Sequence, residues 1–132
     1  MIVVDASALI ALLLDEPQGL RRLLNRRFNQ SDESLHAPHI LDLEVAHTLR
    51  RKTLQGTLAP DLAQLALTRL ATVHISRYPH TGLLDRVWQL RNNVSAYDAA
   101  YVALSETLDA PLITMDRRLA NASGHHARVE VF

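Results

Sequence analysis

The sequence contains no cysteine and only four glycines in 132 residues. Without cysteine there is no disulfide framework, no thiolate metal site and no thiol nucleophile. The four scattered glycines form no glycine-rich phosphate loop, which excludes the usual signature of a P-loop nucleotide site. The absence of cysteine suits a reducing compartment, and we expect a cytoplasmic protein.

Long apolar runs are also missing. The most apolar segment covers residues 6–14, which is well short of the roughly 20 residues that a membrane-spanning helix needs. Asp5 stands where a signal peptide would carry a basic residue. We therefore expect a buried helix over these residues and no association with a membrane.

The remaining composition is that of one ordinary globular domain. Hydrophobic residues make up 48% of the chain and charged residues 21%, and a chain of this length buries roughly two-thirds of its unfolded surface. Apolar periodicity and turn residues predict strands over residues 2–4, 35–37, 73–75, 112–114 and 128–131, and helices over residues 6–14, 17–28, 39–55, 60–71, 79–91, 95–108 and 116–120. Short apolar strands alternating with helices predict an α/β fold with a short central parallel sheet flanked by helices on both faces.

Four carboxylates stand directly beside apolar segments: Asp5, Glu44, Asp98 and Asp116. An ionised carboxylate next to a protein core is costly unless it is paired or bound to a metal. Asp5 and Asp116 follow predicted strands, and ligands of parallel α/β sheets bind beyond the carboxyl ends of the strands. We therefore expect the fold to gather the four acids into one site.

Local explanations exist for three of these acids. Asp5 and Asp116 could simply cap the helices that follow them, and Asp98 could be only the acidic partner of Ser95 in a capping box. Glu44 is harder to explain, because none of its helix neighbours at three or four residues is Arg or Lys.

Electrostatics favour a cation among the four acids. Two unit charges about 4 Å apart repel by about 4 kcal/mol at an effective dielectric constant near 20, which is large beside a total stability of about 5–15 kcal/mol. Ligands that are all oxygen suit Mg²⁺ or Mn²⁺ better than zinc. The hydroxyls of Ser7 and Thr114 could orient the carboxylates or a metal-bound water, or pair only with local backbone groups.

The formal net charge is zero, with 14 basic and 14 acidic residues. Committing four acids to a metal leaves ten acids against 14 bases, a balance of +4. Thirteen of the bases are arginine, the residue best suited to bidentate contact with phosphate. They cluster at Arg21-Arg22, Arg26-Arg27, Arg50-Arg51-Lys52 and Arg117-Arg118. Each cluster could contact phosphate or only form ordinary surface pairs.

Four motifs in order resemble those of the PIN-domain ribonucleases, and most closely the VapC-type toxins of bacterial toxin–antitoxin pairs. The matching segments are Val3-Val4-Asp5-Ala6-Ser7-Ala8-Leu9, then Leu43-Glu44-Val45 with Leu49-Arg50-Arg51, then Tyr97-Asp98-Ala99-Ala100-Tyr101, and finally Leu112-Ile113-Thr114-Met115-Asp116. The resemblance spans nearly the whole chain. One departure is Leu119, because relatives commonly have an aromatic residue shortly after the last acid.

The resemblance implies a single PIN-like nuclease domain over residues 1–132 and a Mg²⁺- or Mn²⁺-dependent endoribonuclease. It carries the metal-binding role over to the four acids, with Ser7 and Thr114 as supporting hydroxyls. Such enzymes hydrolyse RNA phosphodiester bonds and leave a 5′-phosphate and a 3′-hydroxyl. The resemblance further implies a homodimer that is silenced by a small antitoxin protein.

Other classes fit the residues less well. A phosphatase of the haloacid-dehalogenase type needs a second Asp two residues after the first, where this chain has Ser7. A receiver-type phosphoacceptor needs a lysine near the acids, and the only lysine, Lys52, belongs to a predicted helix. A degenerate PIN fold that only binds RNA or protein is a third alternative, against which the presence of all four acids argues.

Overall fold

The computed structural model of the chain describes residues 1–30 and 32–132, and the secondary structure below is that of these residues. Five strands are present: β1 (Ile2–Val4), β2 (Leu35–Pro38), β3 (Ile75–Tyr78), β4 (Leu112–Thr114) and β5 (Val129–Val131). The helices are α1 (Ala6–Leu14), α2 (Leu20–Phe28), α3 (Ile40–Leu54), α4 (Pro60–Thr72), α5 (Leu84–Gln89), α6 (Ala96–Leu108) and α7 (Arg117–Asn121), with a 3₁₀ turn at Thr81–Leu83.

The strands form one parallel sheet in the order β3-β2-β1-β4-β5. From β1 the chain winds through β2 to β3 on one side, and β4 and β5 then lie on the other side. The winding direction therefore reverses between β1 and β4, and the crevice at such a switch point is where open parallel sheets bind their ligands.

The core is built around the two central strands. Every residue of β1 and β4 is buried, and α6 packs across β1, β2 and β4. Residues 99–105 of α6 are buried as well, which explains the apolar run that follows Asp98. This arrangement confirms the predicted α/β fold with a short parallel sheet flanked by helices. No helix within the described ranges is long and apolar enough to cross a membrane.

Two boundaries were predicted wrongly because local hydrogen bonds override the apolar pattern. Helix α2 begins at Leu20 and not at residue 17, because Gly19 has a φ of 89° and Asp15 accepts hydrogen bonds from the amides of Gly19 and Arg21. The strand predicted over residues 73–75 lies at Ile75–Tyr78, since the amide of Val73 still bonds to carbonyls of α4.

The single helix predicted over residues 79–91 is a third difference, because the structure divides this segment in two. Residues 81–83 form a 3₁₀ turn, opened by the hydrogen bond from the Leu83 amide to the His80 carbonyl at 2.9 Å. Helix α5 then covers only residues 84–89, and the Leu90 amide closes it by bonding to the carbonyls of Arg86 and Val87 at 3.2 Å. The segment is therefore shorter and tighter than its apolar spacing indicates.

Candidate active site

The four acids predicted from the sequence line one cleft of about 910 Å³, the acidic cleft. Asp5 follows β1 and Asp116 lies just beyond β4, so these two acids mark the switch point of the sheet. Asp98 enters from the first turn of α6, and Glu44 from the second turn of α3. The structure thus brings the four acids to one place, and their role as metal ligands stays a prediction.

Asp5 is buried and held by three donors. Its Oδ1 accepts from the Ala8 amide at 2.9 Å and from Ser7 Oγ at 2.6 Å, and its Oδ2 accepts from Thr114 Oγ1. Burial raises the pKa of Asp5, and the three hydrogen bonds oppose that rise. Asp5 therefore caps α1, which is the local explanation that the sequence offered for this acid, and it also lines the cleft.

The two hydroxyls connect Asp5 to the end of β4. Ser7 Oγ accepts from the Met115 amide at 2.9 Å, and Thr114 Oγ1 accepts from the Asp116 amide at 3.0 Å. Each hydroxyl thus donates to Asp5 and accepts from the backbone beyond β4. The positions of Asp5 and Asp116 are coupled through these side chains.

Replacing Thr114 with valine tests this coupling. Because Thr114 is fully buried, the substitution leaves the Asp116 amide without its acceptor and removes one of the three donors to Asp5, and we expect a loss of about 2 kcal/mol in the free energy of unfolding. Urea denaturation measures the loss. Thr107→Val is the matched control, because Thr107 is an exposed residue whose hydroxyl bonds only to a carbonyl of its own helix. Equal stability of the two variants would refute the coupling.

Glu44 is half-buried, and its carboxylate contacts a phenol. Tyr101 Oη donates to Glu44 Oε1 at 2.6 Å. Burial raises the pKa of Glu44, the hydrogen bond from Tyr101 opposes the rise, and the charges of Asp98 and Asp5 add to it. Across the described part of the chain Glu44 forms no ion pair, as its helix neighbours predicted.

Asp98 and Asp116 differ in their surroundings. Burial and then repulsion from Asp116 raise the pKa of Asp98, whose amide donates to the capping residue Ser95 at 3.2 Å. Asp116 instead pairs with Arg118 at 3.3 Å and caps α7 by accepting from the Arg118 amide at 2.9 Å, so its pKa is lowered. Asp116 is thus the one acid of the four, in the described structure, that has a basic partner, and Arg118 itself is 93% exposed.

The rim of the acidic cleft carries residues for which the sequence analysis assigned no individual role. Leu43 is 68% exposed and Tyr97 60% exposed, and both line the cleft together with His47 and Arg51. The spacing of positions 40, 44, 47 and 51 on α3 places them on one helix face, so this signal was present in the sequence. The cleft therefore joins an acidic centre to a rim with apolar and basic groups.

The other arginine clusters have mixed surroundings. Arg21 donates to the carbonyls of Leu12 and Leu13 at the end of α1, and Arg27 forms a bidentate pair with Glu130. These two arginines connect α2 to the end of α1 and to β5, so their guanidinium groups are engaged within the protein. Arg22 and Arg26 line a separate open groove on α2.

The chemistry of the cleft fits a hard divalent cation. Its acidic side chains offer only oxygen as donor atoms, and burial and mutual repulsion raise the pKa of Asp5, Glu44 and Asp98 in the absence of a cation. Over residues 1–30 and 32–132, no three acidic or histidine side chains stand close enough to enclose an ion without adjustment. By their chemistry the oxygen donors fit Mg²⁺ or Mn²⁺, and an ion held by three of the acids would need those side chains closer together than the structure has them.

Comparison with known proteins relates the chain to one family. Residues 2–124 match the family model of the PIN domain. The chain is 44% identical over 121 residues to ribonuclease VapC9 of Mycobacterium tuberculosis, covering 92% of this chain and 90% of that protein. It is 36% identical over 131 residues to ribonuclease VapC12 of the same organism, covering 99% and 98% of the two chains.

Solved structures share the fold. VapC20 of Mycobacterium tuberculosis, a toxin that cleaves the sarcin–ricin loop, gives a TM-score of 0.70 at 15% identity, covering 96% of this chain and 97% of its own. VapBC2 from Rickettsia felis, bound to a DNA fragment from its promoter, gives a TM-score of 0.71 at 10% identity, covering 100% and 99%. At these identities the likeness concerns the fold alone.

Proposed function

We propose, from the premise that this chain belongs to the PIN-domain family and to its VapC ribonucleases, that it is a metal-dependent endoribonuclease and the toxin of a toxin–antitoxin pair. The family membership confirms the resemblance seen in the sequence. We further propose that residues 1–132 act as one nuclease domain, that Mg²⁺ or Mn²⁺ is its cofactor, and that Asp5, Glu44, Asp98 and Asp116 hold the ion.

One observation carries this proposal. Asp5 and Asp116 flank the switch point of the sheet, and Glu44 and Asp98 line the same cleft from two helices. A set of acids that only capped helices would not need to share a cleft. Their shared position supports a site that uses the charges together.

The chain's own residues would orient the site. A cation held by the four acids would lower the pKa of a bound water and would help to neutralise the charge on the phosphate and the leaving oxygen. Ser7 and Thr114 hold the Asp5 carboxylate in place. The Arg118 guanidinium pairs with Asp116 at the rim, and its side chain is exposed, so that a phosphate could approach it there.

Arg51 gives the cleft a basic end. It lies seven residues after Glu44 on α3, about 10 Å along the helix axis, and it lines the cleft. Within the described residues Arg51 forms no ion pair with an acid. A nucleic-acid strand has phosphates on both sides of the bond that is cut, and Arg51 suits one of the flanking phosphates.

We propose a cognate antitoxin as the protein partner, a homodimer as the assembly and the cytoplasm as the location. The exposed side chains of Leu43 and Tyr97 at the rim support contact with an apolar segment of a partner protein. The structures of VapBC2 from Rickettsia felis and VapBC from Salmonella typhimurium, which share this fold, were solved in complex with DNA. Co-expression with the neighbouring gene product and size-exclusion chromatography tests the partner and the assembly.

Cleavage of RNA by the purified protein tests the catalytic proposal. We expect cleavage of a structured RNA in Mn²⁺ or Mg²⁺, with new 5′ ends that a ligase joins only if they carry phosphate. Sequencing of these ends in cellular RNA then identifies the target. Retention of RNA without cleavage in either metal would instead indicate a PIN fold that serves as a binding module.

A further inference from the structure

Tyr101 occupies an unusual position in the acidic cleft. Its side chain is only 1% exposed, and it projects from α6 one turn beyond Asp98. Tyr101 lines the cleft, and its hydroxyl donates to Glu44 on α3, 57 residues away in the sequence, at 2.6 Å. The phenol thus joins the two helices that supply the acids from outside the strand ends.

This contact has no substitute among the residues that the structure describes. Asp5 has Ser7, Thr114 and the Ala8 amide as donors, and Asp116 has Arg118. Among the described residues, the Tyr101 phenol is the single hydrogen-bond donor to the Glu44 side chain. Removing it would leave the carboxylate with several rotamers and no partner that selects one.

Tyr101 can act only as a donor to Glu44. A phenol keeps its proton at neutral pH, since its ordinary pKa is about 10. Burial raises the pKa of Tyr101, and the hydrogen bond to Glu44 and the charges of Glu44, Asp5 and Asp98 raise it further. A role as general base is therefore excluded, and the hydroxyl offers Glu44 a fixed O–H donor.

We propose that Tyr101 is a positioning residue, which holds Glu44 in the orientation that the metal ion requires and so sets the affinity of the cleft for the ion. The inference rests on the proposed function. It follows from the behaviour of metal sites, in which hydrogen bonds to a ligand fix its direction and their loss weakens binding by about 10–100-fold. In this role Tyr101 acts through Glu44 and not directly on the ion or the RNA.

Tyr101→Phe tests the proposal by metal affinity. We expect the dissociation constant for Mn²⁺, measured by isothermal titration calorimetry on the full chain, to rise about tenfold or more. RNA cleavage at saturating Mn²⁺ should fall less than cleavage at low Mn²⁺. Tyr78→Phe is the matched control, because its hydroxyl bonds to His36 at 2.7 Å on an edge strand, outside the cleft. It should leave the Mn²⁺ affinity within about twofold.

A double-mutant cycle separates positioning from a general effect on folding. In the Glu44→Gln background, Tyr101→Phe should change the Mn²⁺ affinity by less than about twofold, because the carboxylate that it orients is gone. An equal loss in both backgrounds would overturn the proposal, as would an unchanged affinity of Tyr101→Phe in a parent protein that binds Mn²⁺ and cleaves RNA. A parent protein that neither binds Mn²⁺ nor cleaves RNA would overturn the proposed function and this inference together.

Discussion

Replacing Asp98 with asparagine is expected to reduce the rate of RNA cleavage by about 10³-fold, the loss typical of removing a key electrostatic group from an active site. The amide has nearly the shape of the carboxylate but lacks its negative charge, so it is a poor ligand for Mg²⁺ or Mn²⁺. Asp98 is the best suited of the four acids for this test, because its contact with the helix cap does not involve the carboxylate. The backbone N–H of residue 98 donates to Ser95 Oγ, and asparagine preserves this hydrogen bond.

The fold should survive this substitution. Burial and repulsion from Asp116 disfavour the charged form of Asp98, so its removal stabilises the protein at neutral pH. The loss of a negative charge at the start of α6 acts in the opposite direction. We therefore expect the free energy of unfolding without metal to change by no more than about 1 kcal/mol.

A matched variant makes the cleavage result interpretable. Asp85 lies in the first turn of α5, is exposed and is outside the acidic cleft, so Asp85→Asn removes the same type of helix-start charge. A time course on an end-labelled RNA should show parental cleavage for Asp85→Asn and almost none for Asp98→Asn. If Asp98→Asn cut the RNA as fast as the parent, the four-acid mechanism would be wrong.

Strand ends explain how much of the site could be predicted from the sequence. The segments at residues 2–4 and 112–114 have the predicted bounds, because each short run ends within two residues of an acid, Asp5 or Asp116, which leaves little choice of strand end. Ser95 caps α6 as its motif predicts. The positions of Asp5, Asp98 and Asp116 at one edge of the sheet follow from these local signals and from the rule for parallel sheets.

Contacts between distant helices could not be predicted in this way. The hydrogen bond between Tyr101 and Glu44 depends on the rotation of α3 against α6, which the packing of side chains on both helices sets and no local pattern encodes. The same holds for the reversal of winding at β1 and β4, since the sequence predicts strands but not their order in the sheet. The ion pair between Asp116 and Arg118 is local. The sequence alone could not show which of the two neighbouring arginines, Arg117 or Arg118, pairs with Asp116.

Mn²⁺ is expected to raise the melting temperature of the protein markedly. An ion that binds only the folded state and is present at 100 times its dissociation constant adds about 2.7 kcal/mol, which corresponds to roughly 10 °C for a domain of this size. The physical reason lies in the cleft, where burial and mutual repulsion disfavour the ionised forms of Glu44 and Asp98. Differential scanning fluorimetry over a Mn²⁺ titration measures the shift.

Chelation and two variants complete this test. EDTA should return the melting temperature to its metal-free value and stop RNA cleavage, and added Mn²⁺ should restore both. Asp98→Asn should lose most of the thermal shift, because a ligand is missing. Asp61→Asn, which removes an exposed acid from the first turn of α4, should keep it. A shift of the same size in Asp98→Asn would place the ion elsewhere on the protein. Its loss in Asp98→Asn but not in Asp61→Asn would tie thermal stability and catalysis to the same site, the cleft that Asp98 lines.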